Sequence, residues 1–204
     1  MAGLDAVNQV GESLVGMLRD RRNLLATTGQ LGPVPQTLDI GQTTTGRLAT
    51  AALPTAGLTL LCYHIGLSDH PPPRPALRAT HDAISVALEL SYMLTVWSAT
   101  AEEEHGVLAW AMLELSRHST FDRSLLRGGD VWDRQETVQI VPETLERDEL
   151  LRIWSALQLK YRLSTTFRAR VIRIGYRPGE AWPPVVASRF GFADTDPLIP
   201  AEET

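Results

Sequence analysis

Few residues of this 204-residue sequence carry chemistry by type, so their spacing decides what they can do. Glu102 and His105 stand at i, i+3, which puts a carboxylate and an imidazole on one helix face, as in half of a di-iron site. A complete centre needs a second such pair and two more glutamates on long helices, and the sequence holds one pair. The acids at 102–104 read more simply as the first turn of a helix, where carboxylates answer the dipole. His64, His70 and His81 lie near Asp69 and Asp82, but they straddle SDHPPPRP without ligand spacing and read as a solvated loop. Cys62 sits in the apolar run LTLLCYHIGL with nothing beside it to lower its pKa, so it reads as a small buried hydrophobe. Ser13 in GESLVG is glycine-flanked, but the spacing is not that of a nucleophile elbow and the segment is helical. Phosphate-binding loops, dinucleotide fingerprints and H-E-x-x-H are absent from the sequence. The expectation is a non-enzymatic protein with no catalytic, cofactor-binding or metal residues. Its rival is a small enzyme or ligand-binding domain using Cys62 or the His64–His81 loop, which requires a closed pocket.

Composition narrows the class. Hydrophobic residues at 44% and charged residues at 21% describe an ordinary globular domain. A net charge of -5 argues against nucleic acid as the main partner. One cysteine excludes an internal disulfide framework and fits a reducing compartment. The N-terminal stretch mixes Asp and Glu among its apolar residues, unlike a signal peptide, and no apolar run is long enough to span a bilayer. The expected location is the cytoplasm, unless the chain leaves as part of a larger particle.

The elements follow from periodicity. The first 25 residues predict an amphipathic helix, with Val7, Val10, Leu14, Met17 and Leu18 on one stripe and Arg19, Arg21 and Arg22 toward the C-terminal end of its dipole. Residues 26–56 lack periodicity and predict loop with a short strand around Thr37–Ile40. A buried strand is predicted over 58–67 and a longer one over 83–98. In the latter, Val86, Leu88, Leu90, Tyr92, Leu94 and Val96 form a core face. The opposite face is mixed, and its Trp97 is covered by a helix or by another subunit. Thr100 and Glu103 predict a capping box at the start of a helix over 100–118. A strand over 136–141, a helix over 144–158 and a strand over 161–174 complete the domain. In the last strand the apolar phase moves from Val171 to Ile172 and Ile174, which predicts a bulge or a change from one-sided to two-sided burial. The fold class is α+β, a mainly antiparallel sheet covered by helices, occupying residues 1–176. Residues 177–204, rich in Pro and Gly, predict an extended C-terminal arm.

Two features have no chemical use. Positive charge concentrates at Lys160, Arg162, Arg168, Arg170, Arg173 and Arg177, with no acid from 150 to 179. It reads either as a solvated strand face answering the acids at 102–104 and 143–149, or as a basic rim meeting an acidic neighbour. The arm carries Trp182, Val185, Val186, Phe190 and Phe192, apolar residues that dock on their own domain or add as a strand to a partner sheet.

Three blocks resemble a known family. Trp154 followed by Tyr161-Arg162-Leu163-Ser164, the strand ending in Tyr92-Met93-Leu94-Thr95-Val96, and LLCYHI together resemble the cap, or tail terminator, proteins of phage-tail-like contractile injection systems. The likeness covers roughly residues 1–176, although SDHPPPRPALRATHD departs from the family's pattern and the arm matches no motif. The resemblance implies a structural protein that forms a homo-hexamer, ends the inner tube at the baseplate-distal end and anchors the sheath. Its partners are then further copies of itself, the inner tube protein and the sheath protein, with no cofactor and no nucleic acid. Trp97, Arg162, Arg168, Arg170 and Arg173 become the expected subunit or tube interface. Trp182, Val185, Val186, Phe190 and Phe192 become the expected sheath contact. The nearer rival is a sheath- or baseplate-associated adaptor of the same machine.

Overall fold

The computed structural model describes residues 2–50, 54–68, 85–133 and 136–175. The elements are α1 (Ala6–Thr27), β1 (Ile40–Thr43), α2 (Thr45–Thr50), β2 (Gly57–Leu67), β3 (Ser85–Trp97), α3 (Ala101–Arg117), β4 (Thr120–Phe121), β5 (Val138–Glu143), α4 (Arg147–Ala156) and β6 (Ser164–Gly175). They build one sheet in the order β1-β2-β3-β6-β5-β4. Every pairing between these strands is antiparallel except β1 with β2, and Ala2 adds a single parallel bridge to Ile174 of β6. The fold is therefore α+β as expected, with a mixed sheet because β1 runs alongside β2 in the same direction. The predicted short strand forms a few residues later than Thr37–Ile40, and α2 forms in a stretch read as loop.

The period-2 pattern of β3 sorts its two faces. Leu88, Leu90, Tyr92, Leu94 and Val96 enter the main core with Phe167, Ala169 and Ile172 of β6. That core is roofed by α1 through Val10, Leu14 and Leu18 and by α3 through Val107, Ala111 and Leu115. These are the i, i+3, i+4 positions that give each helix one apolar stripe. Gly11 of α1 has no side chain where Gln42 of β1 lies, so helix and strand approach closely there.

The arginines of α1 do something other than cap. The helix runs on to Thr27 and has no basic residue in its last turn. Arg19 Nε instead donates to the Ile40 carbonyl at 2.7 Å, Arg22 donates to the Leu38 carbonyl, and Arg21 Nε donates to Glu114 at 2.9 Å. They tie α1 to the chain entering β1 and to α3. The box at the start of α3 is half direct and half relayed. Thr100 Oγ1 accepts from the Glu103 amide, while the Thr100 amide donates to Ser98 Oγ, which donates to Glu103 Oε2.

The boundaries around Pro142 also shift. The predicted strand over 136–141 lies at Val138–Glu143 and takes in the proline. β4 pairs with β5 only at Val138 and Gln139, so Pro142 has a neighbour on its β6 side alone. A residue lacking an N–H is tolerated at such an edge. The helix then starts at Arg147, where Glu146 and Glu149 form the reciprocal capping box. It ends two residues before 158, with Gln158 in the left-handed region at φ 57°.

Candidate functional site

Two bulges shape the face of the sheet turned away from α1 and α3. In β6, Arg170 and Val171 together stand opposite Glu89, because Ala169 pairs with Leu90 and Ile172 with Leu88. This is the bulge that the apolar phase change predicts. In β2, Tyr63 is the extra residue between Cys62, paired with Tyr92, and His64, paired with Ser91. A bulge re-aims its side chain, and the Tyr63 hydroxyl donates to Glu143 Oε2 of β5 at 3.0 Å.

Around that bond lies a charge network spanning four strands. Arg168 Nη2 donates to Glu143 Oε1, and Arg168 Nη1 donates to Glu89 Oε2 at 3.4 Å. Arg170 Nε lies 4.0 Å from Glu89 Oε1, which also accepts from Ser68 Oγ at 3.1 Å. The carboxylates are 14% and 12% exposed and the Arg168 side chain 35%. The basic strand is thus answered by Glu89 and Glu143 of the adjoining strands. Glu143 belongs to the acidic stretch named from sequence, whereas Glu89 does not.

The network perturbs its own members. Burial, then the charge of Glu143 beside it, pushes the Tyr63 hydroxyl up to about 12 from an ordinary value near 10. An acid whose folded pKa is raised contributes stability that is complete below its unfolded pKa and fades as pH rises through the folded one. Stability is therefore expected to fall between about pH 10 and pH 12. Tyr63→Phe should flatten that part of a chemical-denaturation pH profile while leaving the neutral region nearly unchanged. An unaltered alkaline slope in the variant would contradict this role.

The other half of the same face is apolar and covered. Met93 and Trp97 of β3 pack with Leu61 of β2, Leu48 of α2 and Trp154 of α4. Trp97 is 2% exposed. The Trp154 ring meets it edge-on at 6.5 Å, Tyr161 meets Trp154 at 6.3 Å, and the Arg162 guanidinium lies 5.6 Å from the Trp97 ring centre. Of the two covers considered for Trp97, the chain's own helix provides one. The Arg162 that lies over Trp97 is exposed, whereas Trp97 itself is not.

Of the expected interface residues, Arg168 and Arg170 lie in the network, Arg162 caps Trp97, and half-buried Arg173 pairs with Ala87 in register. Trp182, Val185, Val186, Phe190 and Phe192 fall outside the described residues, as do His70, His81, Asp69 and Asp82. Sequence reasoning missed Tyr63 and Glu89, and named Glu143 only as part of the acidic stretch 143–149. Glu89 had a signal, being the one acid inside a long apolar strand.

The groups with chemical potential are quiet. The Cys62 thiol is half-buried and its pKa is pushed up by desolvation, the reverse of what a thiolate nucleophile requires. Glu102 and His105 are both exposed. Among the described residues no three His, Cys, Asp or Glu side chains cluster as a metal site. A hollow of about 620 Å³ lies between α1, β1 and α2, and two of its polar groups are spent internally. Arg19 holds the Ile40 carbonyl, and Glu12 accepts from Gln42 Nε2 at 2.7 Å. No helix among the described residues is long and apolar enough to cross a membrane.

Comparison with known proteins adds three findings. The Pvc16 N-terminal domain family model matches residues 9–188. The chain is similar in structure to the sheath/tube terminator of the PVC extracellular contractile injection system in its extended state. Identity is 16%, 89% of this chain and 64% of that one are covered, and the TM-score is 0.50, which establishes a shared fold. A second likeness, to the tube-terminating cap of the anti-feeding prophage, has 15% identity, covers 83% of this chain and 60% of that one, and has a TM-score of 0.46. The chain spans less than two thirds of either structure's length. No curated protein matches it.

Proposed function

The chain belongs to the Pvc16 N-terminal domain family, and from that premise we propose that it is a tail terminator of a contractile injection system. Copies assemble as a hexameric ring that seals the baseplate-distal end of the inner tube and anchors the sheath. The carrying observation is the family match over residues 9–188. A fold shared with a sheath/tube terminator supports it.

The physical character of the sheet face fits such a role. A terminator breaks no bonds; it presents a rigid surface to the tube end and withholds one from the next subunit. Arg168 is held in place by Glu89 and Glu143, so its orientation is set before any partner arrives, with Arg170 at 4.0 Å from Glu89 beside it. Heterologous contacts close into a ring when the rotation between copies suits the number of copies. In this reading the domain over 1–176 is the ring body, with Arg162, Arg168, Arg170 and Arg173 at the subunit or tube interface and Trp97 supporting Arg162 from beneath. Residues 177–204 form the arm, whose Trp182, Val185, Val186, Phe190 and Phe192 engage the sheath.

Electron microscopy of contractile particles from cells lacking this chain tests the reading. Overlong tubes, or sheaths detached at the distal end, are expected. Particles of normal length with intact sheaths would overturn it.

A further inference from the structure

The two sides of the sheet are finished differently. On the β5 side, β4 covers Val138 and Gln139, and Pro142 removes a donor from the remainder. On the β2 side, β1 reaches only as far as the Thr43–Leu61 pair. From Cys62 to Leu67 the outer side of β2 has no neighbouring strand among the described residues. Ile65 and Leu67 pair with Leu90 and Leu88, so they continue the core face, yet they are 51% and 73% exposed. Val86 on the same face of β3 is 37% exposed. An open edge with an apolar face is what soluble proteins normally cover, since it recruits strands indiscriminately.

The chain carries a segment suited to the gap. β6 ends at Gly175 opposite Ser85, the sheet end at which β2 also finishes, with Leu67 opposite Leu88. The outer side of β2 lies about three strand spacings from β6, roughly 14 Å. Residues 176–184 are long enough to cross it, since an extended chain covers about 3.3 Å per residue. Next comes VVASRF, residues 185–190, the same length as the open run Cys62–Leu67. It contains no proline and is bounded by Pro183-Pro184 and Gly191. As a strand turning back from that sheet end, it would meet β2 in the antiparallel sense. With Val186 opposite Leu67, alternation would set Val186, Ser188 and Phe190 on the face of Leu67 and Ile65, Ser188 standing opposite Ile65 and Phe190 past it toward Tyr63.

We propose that in the free subunit residues 185–190 add as a strand to the chain's own β2 edge, shielding Cys62–Leu67 until a partner competes for the arm. A tethered segment at high effective concentration outcompetes a separate molecule for the same edge. Docking of the arm stands independently of the terminator reading; only its release on assembly rests on that reading.

Hydrogen exchange on the isolated full chain separates the two. In the double variant Val186→Asp/Phe190→Asp, amides within Cys62–Leu67 are expected to exchange at least about tenfold faster than in the unaltered chain. Rates in α1 and β3 should be unchanged, and both proteins should keep a monomer mass. Equal rates at Cys62–Leu67 in the two proteins would overturn the proposal. So would protection that rises with concentration alongside a multiplied mass, which would assign the edge to another copy. Neither result bears on tail length, so a failure here leaves the terminator reading to its own test.

Discussion

Arg168→Glu is expected to cost about 3 kcal/mol of folding stability, most of it from charges left unpaired on a half-buried face. Glu143 is 12% and Glu89 14% exposed, and Arg168 holds an oxygen of each. Reversal places a third carboxylate between them and leaves Arg170, 4.0 Å from Glu89, as the nearest compensation. The 35% exposure of Arg168 moderates the loss, because solvent screens part of the repulsion. Arg168→Met keeps the stem that covers the sheet and should cost about half as much. Adding Glu89→Gln and Glu143→Gln to the methionine variant should recover most of that loss. Urea denaturation near pH 7 measures all of these variants. A loss below about 1 kcal/mol for Arg168→Glu would show the network to be an ordinary solvated ion pair. Assembly defects in this variant would then report on folding as much as on contact. Arg162→Glu, at an exposed position over Trp97, is the cleaner probe of a ring or tube interface.

Trp154→Ala is expected to cost about 3 kcal/mol and to loosen α4 from the sheet. Trp154 is the one buried residue of that helix, and it closes the small cluster over Met93 and Trp97. Its indole N–H finds no acceptor among the described residues, so the contribution is packing rather than hydrogen bonding. Trp154→Phe should therefore cost less than about 1.5 kcal/mol, since the lost volume is partly offset by removing an unsatisfied donor. Near-ultraviolet circular dichroism should lose the signal of the edge-on indole pair in the alanine variant, with the far-ultraviolet spectrum little changed. Retention of that signal would mean that α4 is held by something other than Trp154.

Legibility in the sequence followed the reach of the forces. β2, β3 and β6 were visible because each carries an apolar face over ten or more residues, and the phase change at Val171–Ile172 marked the β6 bulge for the same reason. The stripes of α1 and α3 were equally plain. What escaped depends on pairing between distant segments. β1 and β4 are four and two residues long and exist only because β2 and β5 hold them. Pro142 reads as a breaker until it is known to lie where one side of the strand is open. The arginines of the basic strand found partners in Glu89 and Glu143, which register brings within reach across β3 and β5. No local pattern encodes those meetings. Trp97 reads from its mixed face as covered by a helix or by another subunit, and only the packing of α4 shows the helix.

The unequal finish of the sheet's two sides has a consequence for how it stacks with copies of itself. Among the described residues, the run Cys62–Leu67 of β2 can take up a further strand, while on the far side β4 is two residues long and Pro142 takes a donor from the rest of β5. Added strands are therefore held better at one side of the sheet than at the other. A cross-β stack has to be joined equally well above and below every layer, so this asymmetry disfavours fibril growth through the sheet.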